Sequence, residues 1–208
     1  MPRLVKNAYY AVAISVAVSI CWKSVDYRHA DLSQGFLLDK ANIFYFYQVA
    51  LYTHIIAAPL AFFCSMIQVC FPKNAYHQTV GSVYVFSVLF LAAPSGLVMS
   101  FFAIGGTWGT INFGILSLLW GSYTFKAYQA TLQRNRQQHI RFIIGSFIIT
   151  QSAILLRLFS YVNHQVDFLT GTDGYLLVSV LSWLPGMVIY EVLWMYRRGL
   201  FRKGSPAS

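Results

Sequence analysis

The sequence predicts an all-α integral membrane protein, a bundle of six transmembrane helices with both termini in the cytoplasm. Three observations carry this expectation. The chain of 208 residues is 57% hydrophobic and only 10% charged, whereas soluble domains carry about a quarter charged residues. Six stretches approach the ~20 apolar residues that a membrane helix needs. No stretch alternates as a strand does, and lipid obliges a backbone to satisfy its own hydrogen bonds, which a helix does within one segment. Residues 1–208 read as a single transmembrane domain, with 204–208 as a flexible tail.

The six stretches are 6–22, 43–70, 80–104, 108–132, 139–162 and 175–197. The first is short, ends on Trp22 as an interfacial anchor, and follows Arg3 and Lys6. No A-x-A-like cleavage site comes after it, so it reads as a retained helix and not as a signal peptide. The second is long enough to tilt or to extend beyond the bilayer. Between them, 23–41 is the largest external segment and suits a short amphipathic piece lying on the membrane surface. GGTWGT at 105–110 reads as a tight loop, and Pro185 with Gly186 predicts a kink in the sixth stretch.

Orientation follows from the basic residues. With the N-terminus inside, the cytoplasmic side holds Arg3, Lys6, Lys73, Lys126, Arg134, Arg136, Arg141, Arg197, Arg198, Arg202 and Lys203, and the outer side holds Lys23, Arg28 and Lys40. Eleven against three is a strong positive-inside bias. It also accounts for the net charge of +9, which in a soluble protein would suggest nucleic acid. Here the expected partner of these residues is the anionic lipid surface, and nucleic-acid binding is excluded. Cys21, Cys64 and Cys70 lie in or beside apolar segments and read as small buried residues, since their spacing fits neither zinc nor a disulfide framework.

Polar residues inside the spans are the functional candidates. His54 shares a helix face with Tyr47, Ala50, Ala57, Ala58, Ala61 and Ser65. Small residues let membrane helices approach closely, so this stripe should point into the bundle. In the third stretch His77, Gly81 and Tyr84 share a face, and Gly81 leaves room for a partner helix or a flat ligand. In the fourth, Gly114, Ser117, Gly121 and Thr124 form a packing seam. In the fifth, one face runs from His139 through Ser146, Thr150 and Ala153 to Arg157, which either snorkels outward or has a functional role. In the sixth, Glu191 can pair with Lys126, Arg141 or Arg198.

Histidine also binds haem iron. His77 and His139 both start helices at the cytoplasmic side, so their depths match. His54 lies ~10 Å inside the outer boundary, and its one outer counterpart, His164, differs from it in depth by roughly 15 Å. The sequence therefore admits one b-type haem, on His77 and His139 beside Gly81 and Tyr84, with His54 unpaired.

The segments HIIAAP (54–59), HQTVGSVY (77–84), QQHIRFIIGS (137–146), LLRL (155–158) and WLPGMVIYE (183–191) together resemble a bacterial membrane family known as domain of unknown function 2306. The likeness covers 48–195. It implies a multi-pass protein of the cell membrane, the bacterial inner membrane, and places the family's characteristic positions at His54, His77 with Gly81 and Tyr84, His139 and Arg157. Gln78 and Phe142 depart from the arginine and tryptophan that members often carry there. A looser likeness to six-helix cytochromes b stops at the outer histidine pair, which is missing here.

Three functions are compatible with these residues. One is a small electron carrier with haem b on His77 and His139. A second is a transporter-like module with a polar or proton path along His54, Arg157 and Glu191. The third is a non-catalytic subunit that acts through a membrane partner protein or as a homo-oligomer. No P-loop, G-x-S-x-G or G-x-G-x-x-G motif is present, which excludes the usual soluble hydrolase and nucleotide chemistries.

Overall fold

The computed structural model of the protein describes residues 44–71, 75–166 and 170–203, together with helical residues 11, 14, 15, 18, 19 and 22 near the N-terminus. The external piece expected at 23–41 and the tail at 204–208 lie outside the described residues. Among the described residues the structure is all-helical, without strands. We label the helices α1 (Phe44–Cys70), α2 (His77–Ser100), α3 (Gly106–Leu132), α4 (Arg136–Val166), α5 (Gly171–Leu181) and α6 (Leu184–Lys203).

Among the described residues four helical stretches are long and apolar enough to cross a membrane: Tyr47–Val69, His77–Ser100, Arg136–Val166 and Gly171–Arg197. The expectation of six is met at these four. α3 has the length, 27 residues, but carries Asn112, Ser117, Ser122, Thr124, Lys126 and Gln129 among its apolar residues. It packs against α2, α4 and α5, and apart from Trp120 the residues it buries are small or polar, among them Gly109, Asn112, Gly114 and Thr124. Part of its polar face is covered by other helices.

Proline shapes two of the helices. Pro94 has no N–H to donate to Phe90, and the turn before it widens into a π-helix over Ser87–Ala92, where the Ala93 N–H reaches back to the Val88 carbonyl. Pro185 likewise cannot donate to Leu181. The last span breaks into α5 and α6 at Ser182 and Trp183, which bond back to Val178 and Val180. The kink expected there falls at this two-residue turn, within the single stretch Gly171–Arg197.

Two short connections set the antiparallel order. The turn into α3 is Phe101–Gly105, and GTWGT continues as the first helical turn, so the loop lies earlier in the chain than GGTWGT suggests. Gly105 and Gly106 have φ of 96° and 56°, a left-handed backbone that glycine adopts without a Cβ clash. Between α3 and α4, Arg134 takes φ 52°, and its N–H and that of Asn135 bond to the Thr131 and Ala130 carbonyls at 3.0 and 2.9 Å. That is a Schellman closure. Asn135 then caps α4, its Oδ1 accepting the Gln138 N–H at 3.1 Å. One asparagine thus ends one helix and starts the next.

The main core joins Ala57, Ala61 and Cys64 of α1 with Tyr84, Val88 and Ala92 of α2, Trp120 of α3, Ile149 of α4 and Trp183 and Met187 near the α5–α6 break. A smaller cluster, Phe62, Met66 and Ile154, fastens α1 to α4. The expected seam on α3 is present: a Cβ at Gly114 would contact Ser100, one at Gly121 would contact Ala93, and Ser117 lies against Gly96. The closest crossing is at Gly145 of α4, where a Cβ would collide with the Tyr123 ring. Gly145→Ala should therefore lower unfolding stability in detergent by about 1–3 kcal/mol, as overpacking does. Gly121→Ala, with room at ordinary contact distance, should leave the melting curve close to wild type.

Candidate functional site

The face of α1 predicted to turn inward does so. Tyr47, Ala50, Ala57, Ala61 and Ser65 are all buried, and His54 sits half-buried among them. Its Nδ1 lies 2.9 Å from the Ala92 carbonyl and 3.2 Å from the Ser95 hydroxyl. A carbonyl only accepts, so Nδ1 carries the proton. The imidazole reaches this carbonyl because Gly96 has no side chain: a Cβ there would come within 3.1 Å of the ring. Ser95 donates to the carbonyls of the same turn, Leu91 and Ala92. The histidine thus binds α1 to the end of the π-helical turn that precedes Pro94.

Tyr84 is buried and lies at the centre of a hydroxyl network. Its OH is 2.6 Å from Ser146 Oγ and 3.0 Å from Thr150 Oγ1, and Trp120 Nε1 donates to it at 3.4 Å. Ser146 also meets Thr124 at 2.6 Å, and Thr124 donates to the Trp120 carbonyl. One set of proton positions satisfies this ring: Trp120 donates to Tyr84, Tyr84 to Ser146, Ser146 to Thr124 and Thr124 back to Trp120. Thr150 donates to the Ser146 carbonyl at 2.9 Å. Three helices are held by groups that leave no donor over.

Glu191 occupies a third junction. It accepts from Tyr123 at 2.5 Å and from Arg141 at 2.9 Å. Of the three expected partners, Arg141 makes the ion pair, with both side chains about a quarter exposed (25% each). The guanidinium also lies over the rings of Phe142 and Trp194, and Tyr190 donates to the Arg141 carbonyl at 2.6 Å. Lys126 also stands over the Phe142 ring, 5.5 Å from its centroid.

The haem candidates are distributed differently from the expectation. His139 Nδ1 turns back onto the end of α3, 3.1 Å from the Ala127 carbonyl and 2.8 Å from the Thr131 hydroxyl, and so clasps the α3–α4 hairpin. His77 stands against α1: Gln68 Nε2 donates to its carbonyl at 2.6 Å, and its own Nδ1 is buried without a partner. The space at Gly81 is filled by Gln68, 3.0 Å from where a Cβ would be. Gly81 therefore admits a neighbouring helix, and Tyr84 turns to the hydroxyl network. Among the described residues no three His, Cys, Asp or Glu side chains converge as a metal site.

The path expected along His54, Arg157 and Glu191 is also dispersed. The α4 face that begins at His139 is buried at Ser146 and Thr150 but exposed at Ala153 and Arg157. Glu191 lies elsewhere, between α3, α4 and α6. Sequence reasoning missed Asn112, which donates to Ser179 at 2.8 Å and accepts from Trp183 Nε1 at 2.9 Å. An amide within INFGILSLLW was a visible signal of the same kind as His54.

A family model described as a predicted membrane protein, DUF2306, matches residues 51–194. The chain belongs to this family. No curated protein and no solved structure matches the chain. The DUF2306 region contains all three junctions, at His54, Tyr84 and Glu191, and nearly coincides with the 48–195 expected from the motifs. Within this DUF2306 bundle, Tyr84→Phe should destabilise by about 1–3 kcal/mol, because Trp120 loses its acceptor in a buried site. Ser146→Ala should cost a similar amount. The double variant should cost less than the sum, which a denaturant titration of the four proteins in one detergent would measure.

Proposed function

We propose that the protein is a non-catalytic membrane module, a helical scaffold whose intramembrane polar residues fix helix register. It would act through a membrane partner protein or further copies of itself, in the bacterial inner membrane with both termini in the cytoplasm. The observation that carries this reading is that the candidate reactive groups engage one another. Glu191 is held by Arg141 and Tyr123, His54 by Ala92 and Ser95, and Tyr84 by Ser146 and Thr150. Such groups define which helix meets which, at which level, in a medium where apolar contacts alone discriminate poorly.

One observation favours the redox reading as a second choice. With Nδ1 of His139 directed at a backbone carbonyl, Nε2 is the nitrogen left for iron, an arrangement common in histidine ligands. His77 and His139 rest on different helix seams, and this weighs against a shared haem.

The two readings separate in solution. Purified protein, expressed with haem supplied, is expected to show no reducible visible band; a band lost in His139→Ala would establish the electron carrier instead. Under the scaffold reading His54→Ala and Glu191→Gln each lower unfolding stability by about 1–3 kcal/mol, the scale of a partly exposed polar group losing its partner. Proton flux in proteoliposomes should be equal for wild type and His54→Ala. A difference in flux at unchanged stability would favour the transport path.

A further inference from the structure

Between α3 and the broken last span lies a groove of about 910 Å³, open to the lipid side and lined almost wholly by apolar side chains. Trp108 and Ile115 stand on its α3 wall, with Leu177 and Val188 opposite, and Tyr123 and Glu191 lie at one end. The groove lies beside the turn at Ser182 and Trp183, with α5 fastened to α3 through Asn112 and Ser179 and α6 through Tyr123 and Glu191. We propose that this groove is a binding site for a single anionic long-chain lipid, its chain along α3 and its headgroup at the Tyr123–Glu191 end. The proposal rests on the scaffold reading only for the bundle that frames the groove.

The dimensions select a chain over a helix. From Trp108 to Tyr123 the α3 wall runs ~22 Å at 1.5 Å per residue. A volume of 910 Å³ over that length gives a cross-section of roughly 40 Å², whereas a helix ~10–12 Å across occupies about twice that or more. The run exceeds the ~15 Å of one leaflet, so a long extended chain fills it better than a short one.

The charge selects the headgroup. Glu191 is neutralised by Arg141, and among the described residues Lys126 and Arg197, both exposed, add further positive charge on α3 and α6. The cluster is also short of acceptors: Arg141 Nε and Trp194 Nε1 are buried donors with no partner. Native structures rarely leave such donors unmatched. A phosphate at the Tyr123–Glu191 end brings acceptor oxygens to the edge of this donor-rich cluster. A zwitterionic headgroup brings its own cation to the same place and loses this advantage.

The test uses full-length protein in mild detergent, offered equal amounts of dioleoylphosphatidylglycerol and dioleoylphosphatidylcholine, with retained lipid read by native mass spectrometry. Wild type should retain the phosphatidylglycerol about fivefold or more over the phosphatidylcholine, the scale of one basic residue's attraction. Lys126→Gln should bring the ratio toward one. Val188→Trp and Ile115→Trp fill the groove from its lipid-facing edges, and each should reduce retention about tenfold at an unchanged melting temperature. If Val188→Trp fails to fold, Ile115→Trp on the opposite wall decides. Equal retention of the two lipids by wild type overturns the proposal, as does full retention by a folded groove-filling variant. A dimer lost in Val188→Trp without lipid selectivity would assign the groove to a second copy and overturn it too. None of these results alters the stability changes expected at His54 and Glu191, so the two readings fail separately.

Discussion

A hydroxyl or amide surrounded by hydrocarbon has no water to turn to, and every other feature of this bundle follows from that constraint. Each unsatisfied polar group in such surroundings costs several kcal/mol. The chain nevertheless places histidine, asparagine, glutamate and a series of serines and threonines within its spans. They are tolerated because they meet one another at junctions between helices. His54 lies on the Ala92 carbonyl, Asn112 joins Ser179 to Trp183, and the Tyr84 ring closes through Ser146, Thr124 and Trp120.

Close approach is the second requirement, and glycine supplies it. Gly96 admits the His54 imidazole, Gly81 admits the Gln68 amide and Gly145 admits the Tyr123 ring. Each glycine stands beside a polar or aromatic group that makes a directional bond elsewhere. Tyr123, seated over Gly145, reaches Glu191; Gln68, seated over Gly81, reaches the His77 carbonyl. The small-residue stripes and the polar junctions are two aspects of one packing arrangement.

The prolines divide the bundle into a closed part and an open part. Pro94 is absorbed by a π-helical turn and leaves α2 continuous, so α1–α4 pack as one body around the main core. Pro185 follows the turn within its span, and an apolar groove lies beside that turn, between α3 and α5–α6. The difference is local. At Pro94 one widened turn restores the backbone bonds. At Pro185 the following Gly186 and the buried Trp183, bonded to Asn112, hold the chain in a turn.

The helices were legible from the sequence because long apolar runs without strand alternation favour helix; 43–70 and 108–132 fall within two residues of α1 and α3 at each end. The inward face at His54 was legible for a related reason, since small residues at helical spacing mark contact. The pairing of polar groups was decided by the tertiary structure. Glu191 had three basic candidates in sequence, and only the crossing of α4 and α6 selects Arg141. His77 and His139 both lie in the first turn of a helix, but they turn to different neighbours, Gln68 of α1 and the end of α3. Periodicity reports the direction in which a side chain leaves its own helix; the atom it meets depends on the position and rotation of a second helix, and no single segment encodes that.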